Sequence, residues 1–293
     1  MDKLVGALVT GLAQGAMIAL VSLGYSMVYG VLKLINFAHS EVFMMAAYVG
    51  LFVILAVGGE QTQNPLLTVA AGTIVAMFAV SILGVVIERV AYRPLRGRGK
   101  GPLTRITPLV TALGVSVLLQ NLAQLLFTAQ FRPYPHLFSR TRPVIFVTAV
   151  VVMVLLELVI RRTWFGKAMR ALSANEEAAR LMGINTSNVI RLTFVVGSSL
   201  AAIGAVLFCL DQSQVYPTMG VIIGTRAFVA AVLGGIGNIT GAMLGGLLLG
   251  VLGELVKLTD YSGGVDILVF FVLILVLLVR PAGLLGTARA EKV

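Results

Sequence analysis

The sequence predicts an all-α polytopic membrane protein, and three observations support this fold class. Hydrophobic residues make up 58% of the 293 residues and charged residues 12%, about half the charged fraction of an average soluble domain. Apolar runs long enough to cross a bilayer recur along the chain. The charges gather in the connections between these runs. The net charge of +10 therefore indicates contact with anionic lipid and control of membrane topology rather than nucleic-acid binding.

Eight apolar runs account for most of the chain. They lie near residues 4–32, 34–57, 66–90, 106–128, 143–160, 191–213, 223–257 and 264–280. The seventh run is too long for one crossing, and the glycine-rich stretch 234–238 divides it into two short helices. We therefore expect eight to ten transmembrane helices, with nine as the best count. Together they form a single membrane domain over residues 1–293.

Basic residues predict which connections face the cytoplasm, because cytoplasmic loops carry an excess of Lys and Arg. Three regions carry them: Arg93, Arg96, Arg98, Lys100 and Arg105 in one connection, the polar segment 161–191 in another, and Arg280, Arg289 and Lys292 near the C-terminal end. The connection 58–65 has no basic residue and is expected outside. Alternation also places 129–143 outside, although it contains Arg132, Arg140 and Arg142. Nine crossings with a cytoplasmic C-terminus leave the N-terminus outside.

The polar segment 161–191 is predicted to hold its own short helix. Ser173 and Glu176 have the spacing of a capping box, in which Ser173 caps the helix and Glu176 reaches back. Gly183 is expected to end it, because glycine adopts positive φ without steric cost. An apolar face contains Ala174, Ala178, Leu181 and Met182. A helix of this length is marginal alone. The pattern favours a helix that docks on a partner, with a loop covering its own membrane domain as the alternative.

Two further patterns lie within the apolar runs. Gly237, Gly241 and Gly245 recur at every fourth residue, followed by Gly246, Gly250 and Gly253. The resulting smooth face suits close helix contact, within this chain or with a transport path or second subunit. Glu254 and Lys257 have the spacing of an ion pair on one helix. The polar segment 35–41 predicts a bend between helices, with Asn36 or Ser40 as a cap.

Catalytic chemistry is not indicated. A phosphate-binding loop would need glycines ending in Gly-Lys-Ser or Gly-Lys-Thr, whereas residues 97–101 form only a basic loop. His39 and His136 lack metal-ligand spacing, and Cys209 has no neighbouring base. We predict no metal site and no bound cofactor, so any coupling to ATP has to come from a partner.

Several stretches resemble one known family. These are residues 24–30 (GYSMVYG), 35–42 (INFAHSEV), 88–96 (ERVAYRPLR), 182–185 (MGIN) and 230–237 (AAVLGGIG). The chain is similar over nearly its whole length to the permease subunits, of the LivH type, of branched-chain amino acid ABC importers. Such permeases carry a cytoplasmic Glu-Ala-Ala pattern followed after three residues by Gly, as in Glu177-Ala178-Ala179 and Gly183. The Leu-Pro that ends the broader pattern is absent, since Thr193 follows Leu192, and Ser40 stands where the family commonly has Gly.

The resemblance implies a subunit of a larger machine in a bacterial inner membrane. Expected partners are a second, related permease, two cytoplasmic ATPase subunits that bind ATP and Mg²⁺, and a periplasmic binding protein that delivers leucine, isoleucine or valine. The ATPase-coupling helix would then comprise Ser173, Glu176, Glu177, Ala178, Ala179, Leu181, Met182 and Gly183.

A path for such zwitterions needs groups that attract a carboxylate, and broken helices can present their positive N-terminal ends to one. The candidates at the two breaks are Asn36, His39, Glu41, Gly234, Gly235, Gly237 and Asn238. One alternative is a related permease for urea, short amides or another small polar solute. Another is a stand-alone secondary transporter, and a membrane-embedded enzyme is a third.

Overall fold

The chain folds into a bundle of long helices. The computed structural model describes residues 2–95, 102–138, 141–259 and 262–286. Within them the helices are α1 (Asp2–Leu32), α2 (His39–Ala56), α3 (Pro65–Ile87), α4 (Pro102–Phe127), α5 (Thr141–Arg162), α6 (Trp164–Ala174), α7 (Glu176–Leu181), α8 (Thr186–Gln212), α9 (Met219–Gly234), α10 (Ile239–Lys257) and α11 (Val265–Val279). Two short antiparallel strands, β1 (Arg132–Pro133) and β2 (Gln214–Val215), correct the all-α prediction.

Among the described residues, seven helices are long and apolar enough to cross a membrane: α1, α2, α3, α4, α5, α8 and α10. α9 and α11 are apolar but shorter. The predicted division of the seventh apolar run is confirmed, since α9 ends at Gly234 and α10 begins at Ile239. α2 begins only at His39, after a non-helical stretch, so the bend predicted at 35–41 lies at the start of the second apolar run (34–57).

The core lies around α1, which packs against α5, α8, α9 and α10. The glycine face of α10 serves this packing. A Cβ added at Gly241 would overlap the backbone of Gly234 on α9, and one at Gly250 would overlap that of Gly15 on α1. Of the alternatives left open for this glycine face, the structure therefore shows contact within the chain. The predicted ion pair between Lys257 and Glu254 is also present.

Contacts between connections divide them into two groups at opposite ends of the bundle. At one end, Lys33 bonds to Ser173, and Asn238 bonds to the carbonyl of Leu285. Lys33, Ser173 and Asn238 also line one cavity together with Ala282 and Gly286, so residues 33 and 173 lie close to the segment after α11. The basic residues Arg96, Arg98, Lys100, Arg140, Arg289 and Lys292 lie outside the described residues.

At the other end, the Glu60 carboxylate accepts a hydrogen bond from the backbone N–H of His136 (3.1 Å), and the His136 ring contacts Ser213. This joins the connection 58–65 to the segment that contains β1. Burial raises the pKa of Tyr134 well above its ordinary value, and burial also raises that of Tyr216. Both phenols are therefore neutral, and they pack as side chains at this end of the bundle.

Candidate functional site

The polar segment 161–191 holds two helices rather than one. Thr163 caps α6 by accepting a hydrogen bond from the N–H of Gly166 (3.4 Å). α6 buries Met169 and Leu172 against the bundle. At Asn175 the backbone is extended, with φ −159° and ψ 114°, and this residue separates α6 from α7. The short α7 is therefore held at an angle set by one non-helical residue.

The capping-box prediction is wrong in its residues. Ser173 lies in the last turn of α6, and its hydroxyl accepts from Lys33. Asn175 caps α7 instead, accepting a hydrogen bond from the N–H of Ala178 (3.1 Å). Glu176 does not reach back to a cap but pairs with Arg180 (3.0 Å). The cap moved by two residues because α6, which begins earlier in the segment, continues through Ser173.

The end of α7 at Gly183 is confirmed. Gly183 has φ +80°, and its N–H donates to the carbonyl of Arg180 while that of Ile184 donates to the carbonyl of Ala179. These two bonds form a Schellman motif, which satisfies the last carbonyls of the helix. Asn185 then caps α8 by accepting from the N–H of Asn188. Capping groups thus hold both ends of α7.

The apolar face predicted for this helix points away from the bundle. Leu181 is 88% exposed and Met182 is 82% exposed, with Ala178 exposed beside them. Ala179, at 4% exposure, is the buried residue of α7. Glu177 is exposed. Two large apolar side chains therefore stand in solvent on a helix too short to be stable without tertiary contacts.

The first predicted break, around residues 36–41, is buried in the bundle. Tyr92 donates a hydrogen bond to the Asn36 side chain (2.9 Å), and Ser116 of α4 donates to Glu41 (3.3 Å). His39 is 2% exposed and meets the Tyr25 ring edge-on, with centroids 4.9 Å apart. The bend is present, but the predicted cap is wrong: Ala38 occupies the cap position of α2, without a side-chain cap bond.

The second break joins α9 to α10. Gly235 and Gly237 have φ of +102° and +92°, a conformation that favours glycine. The N–H of Gly237 donates to the hydroxyl of Ser26 on α1 (3.3 Å). Asn238 caps α10 by accepting from the N–H of Gly241 (3.0 Å). Gly234 packs on the backbone of Gly241. This break is thus ordered by hydrogen bonds.

The two breaks meet α1 at different heights. His39 lies against Gly24, whereas Gly237 lies against Gly30, and six residues of helix separate these contacts by about 9 Å. A cavity of about 700 Å³, which we call the junction cavity, opens beside the second break. Gly237 and Asn238 line it, together with Lys33 and Ser173, whereas the first break does not contribute to its lining. The structure therefore separates two groups of residues that the sequence placed in one site.

A third feature was not predicted. In the most apolar part of α4 only 17% of residues are buried, against 67% in α2 and α8. Its buried residues Ala112, Leu119 and Ala123 define one face. The rest of its surface mixes large exposed apolar side chains with polar or small residues. The apolar ones include Val110, Val117, Leu118 and Leu125, and the polar or small ones, exposed or half-buried, are Thr107, Thr111, Gly114, Asn121 and Gln124. We call these five polar or small residues the α4 polar face. Around Gly114, an added Cβ would meet nothing within 4 Å.

The signal for the α4 polar face was present in the sequence. Thr107, Gly114 and Asn121 are seven residues apart, a spacing that keeps them on one side of a helix. Within the helix, the Thr111 hydroxyl donates to the carbonyl of Thr107 (2.9 Å) and the Asn121 amide donates to that of Val117 (2.7 Å). Each side chain keeps further hydrogen-bonding capacity for a neighbour. This face carries no formal charge, so the charges within the apolar runs do not point to it.

Together, the membrane-length helices and the exposed, capped α7 define a polytopic membrane protein that presents a short helix with exposed apolar side chains at one end of its bundle. A family model described as "Branched-chain amino acid transport system / permease component" matches residues 7–278. The chain belongs to this family, and the resemblance drawn from the motifs is confirmed.

Relatives of known name cover almost the whole chain. The high-affinity branched-chain amino acid transport system permease protein BraD of Pseudomonas aeruginosa is 41% identical, over 98% of this chain and 97% of its own length. The permease protein LivH of the corresponding system is 40% identical in Salmonella typhimurium and 39% identical in Escherichia coli K12. Both alignments cover 97% of this chain and 96% of the relative.

Proposed function

We propose that this chain is a permease subunit of an ATP-binding-cassette importer for branched-chain amino acids in a bacterial inner membrane. Residues 1–293 form one transmembrane domain, which pairs with a second, related permease. Two cytoplasmic ATPases bind the ATP and Mg²⁺, and a periplasmic protein delivers the solute. Family membership and the names of relatives at 39–41% identity support this reading. They also favour leucine, isoleucine and valine over urea or amides.

The observation that carries the ATPase partnership is the exposed apolar face of α7. Leu181 and Met182 stand in water although α7 is capped at both ends and anchored through Ala179. Their burial in a groove of a partner would be favourable, and a secondary transporter has no need of such a helix. Movement of the partner would reach the bundle through α6, whose Ser173 contacts Lys33 at the end of α1.

The docking role is tested by Leu181→Asp in the intact chain, expressed with its neighbouring transport genes. We expect the variant to reach the membrane at normal levels but to lose the co-purifying ATPase. Arg180→Gln is the matched control, because Arg180 lies on the other side of α7 and its exposed pair with Glu176 contributes little. Retention of ATPase by Leu181→Asp, at the level of the control, would contradict the proposed docking face.

Nine crossings fit the helix order. α1 to α5 and α8 to α11 alternate in direction, if the shorter α9 and α11 also span. The polar segment 161–191 and residues 280–286 then lie on the cytoplasmic side, and the N-terminus lies outside. Shorter spanning helices are tolerated where protein covers their ends. Cysteine labelling at residues 60 and 177 tests this arrangement, since only residue 60 should react from outside.

The α4 polar face is the best candidate for this chain's wall of the transport path. Thr111 and Asn121 can offer hydrogen-bonding groups to a zwitterion, while neighbouring Leu118 contacts an aliphatic side chain. The path would then run between α4 and the second permease. Glu41, which accepts a hydrogen bond from Ser116 of α4, would position this helix rather than touch the solute. His39 would support α1, against which it packs.

A further inference from the structure

The junction cavity carries an excess of positive charge. Three cations line it from three elements: Lys33 after α1, Arg161 at the end of α5 and Arg170 in α6. Among the described residues, Glu157 is the carboxylate that lines it, so in this part of the chain three cations face one anion. That carboxylate is already engaged by Arg161 (2.5 Å) and by the hydroxyl of Thr240 (3.3 Å). A ligand of this cavity is therefore expected to be an anion.

Hydrogen bonds to neutral groups help to hold two of these cations at the cavity wall. Lys33 donates to the Ser173 hydroxyl (3.1 Å), and Arg170 donates to the carbonyl of Ile160. The first residues of α10, Ile239 and Thr240, also line the cavity, and a helix start adds partial positive charge. A phosphate group, with several acceptor oxygens, matches such a set of donors from separate elements.

The position of the cavity indicates where the phosphate comes from. Ile160 of α5 and Leu277 of α11 are among its apolar lining residues. Next to Leu277, Leu278 is 83% exposed on the outside of the bundle, where acyl chains would lie. Trp164, at the start of α6, is 62% exposed, as is common for aromatic residues at the headgroup level. Lys33, Arg161 and Arg170 are themselves exposed, so the cavity presents its cations to the surroundings of the bundle, close to the exposed apolar surface of α11.

We propose that the junction cavity binds the phosphate headgroup of an anionic phospholipid. The headgroup bridges Lys33, Arg161 and Arg170, and the acyl chains lie beside α5 and α11. A lipid bound there ties α6 to the ends of α1 and α5. Basic pockets between membrane helices bind lipid headgroups in this way. The binding itself does not depend on the proposed transport function.

The single tryptophan of the chain, Trp164, provides a direct test. It lies six residues before Arg170 on the same helix, a rise of about 9 Å. The purified full-length chain is placed in phosphatidylcholine nanodiscs that contain a small fraction of brominated phosphatidylglycerol or, for comparison, brominated phosphatidylcholine. We expect the brominated anionic lipid to quench Trp164 fluorescence well beyond its share of the bilayer.

Paired variants separate the cavity from general surface charge. Lys33→Gln with Arg170→Gln is expected to weaken the preference for phosphatidylglycerol roughly 25-fold, since each cation near the surface contributes about fivefold. Arg162→Gln with Lys167→Gln removes the same charge from the same region, outside the cavity lining, and should retain most of the preference. Arg170→Lys keeps the charge and should also retain the preference for phosphatidylglycerol. Retention there would exclude misfolding through residue 170 as the cause of the loss in the first double variant.

Three results would overturn the proposal. The first is equal quenching by both brominated lipids in the unmodified chain. The second is an equal loss of preference in the two double variants, which would indicate attraction to the surface alone. The third is protection of the chain against thermal unfolding by inorganic phosphate without any lipid preference, which would assign the cavity to a soluble phosphate.

Discussion

The ammonium group of Lys33 donates a 3.1 Å hydrogen bond to the hydroxyl of Ser173. This contact links the residue after α1 to the last turn of α6, across 140 positions of sequence. Since α1 packs on four of the membrane helices and α6 leads into α7, the bond joins the centre of the bundle to the docking helix. If α7 docks on a partner as proposed, its movement would reach α1 through this bond.

Ser173→Ala should loosen this link without preventing assembly. A hydrogen bond of this kind contributes about 0.5–1.5 kcal/mol, so we expect roughly twofold to tenfold more ATP hydrolysed per amino acid imported by the reconstituted complex. Ser187→Ala, at the start of α8, is the matched control. An unchanged coupling ratio in Ser173→Ala would show that movement is not transmitted through this contact.

Gly114→Leu should block transport while leaving the chain folded. The surroundings of Gly114 are open within the chain, and leucine is the better helix former, by somewhat less than the about 0.8–1 kcal/mol that separates glycine from alanine, so thermal stability should not fall. We expect uptake to decrease at least about tenfold, because the new side chain fills the proposed path. Gly6 also has open surroundings, and Gly6→Leu serves as the control. Full uptake by Gly114→Leu would remove the α4 polar face from the path.

Gly24→Ala should destabilise the bundle through His39. The added methyl group would overlap the imidazole ring, and such overpacking costs about 1–3 kcal/mol. The apparent midpoint of thermal unfolding in detergent should fall, whereas Gly114→Ala should raise it slightly. In the Gly24→Ala background, His39→Ala should cost less than in the unmodified chain, as expected for two residues in contact. If the losses of stability from Gly24→Ala and His39→Ala were additive, the proposed overlap between the two residues would be contradicted.

Gly183→Val should release the end of α7 through backbone strain alone. Gly183 has φ +80° and open space around it, so no side-chain clash contributes. A β-branched residue in this conformation costs about 1–2 kcal/mol or more, which should speed proteolysis of the segment 175–186 about fivefold to thirtyfold. Gly183→Asn should be much milder, because asparagine tolerates positive φ. If Gly183→Val and Gly183→Asn were cleaved at the same rate, backbone strain at residue 183 would not be the cause.

Much of this architecture could be predicted from the sequence because its causes are local. The length of apolar runs specifies membrane helices, and the glycines at 234–237 interrupt one of them whatever surrounds it. Gly183 ends α7 for the same kind of reason, since its backbone conformation is open to glycine. Spacing along one helix likewise predicted the pair between Glu254 and Lys257.

The tertiary structure decided which partner each group meets. Asn175 rather than Ser173 caps α7, because α6 extends through Ser173 and turns its hydroxyl toward Lys33. The stripe of glycines on α10 meets α1 and α9 inside the same chain. His39 lies in space left by Gly24, and the polar residues of α4 remain uncovered on the opposite side from the core. Burial depends on segments far apart in sequence, so it follows from packing rather than from a local pattern.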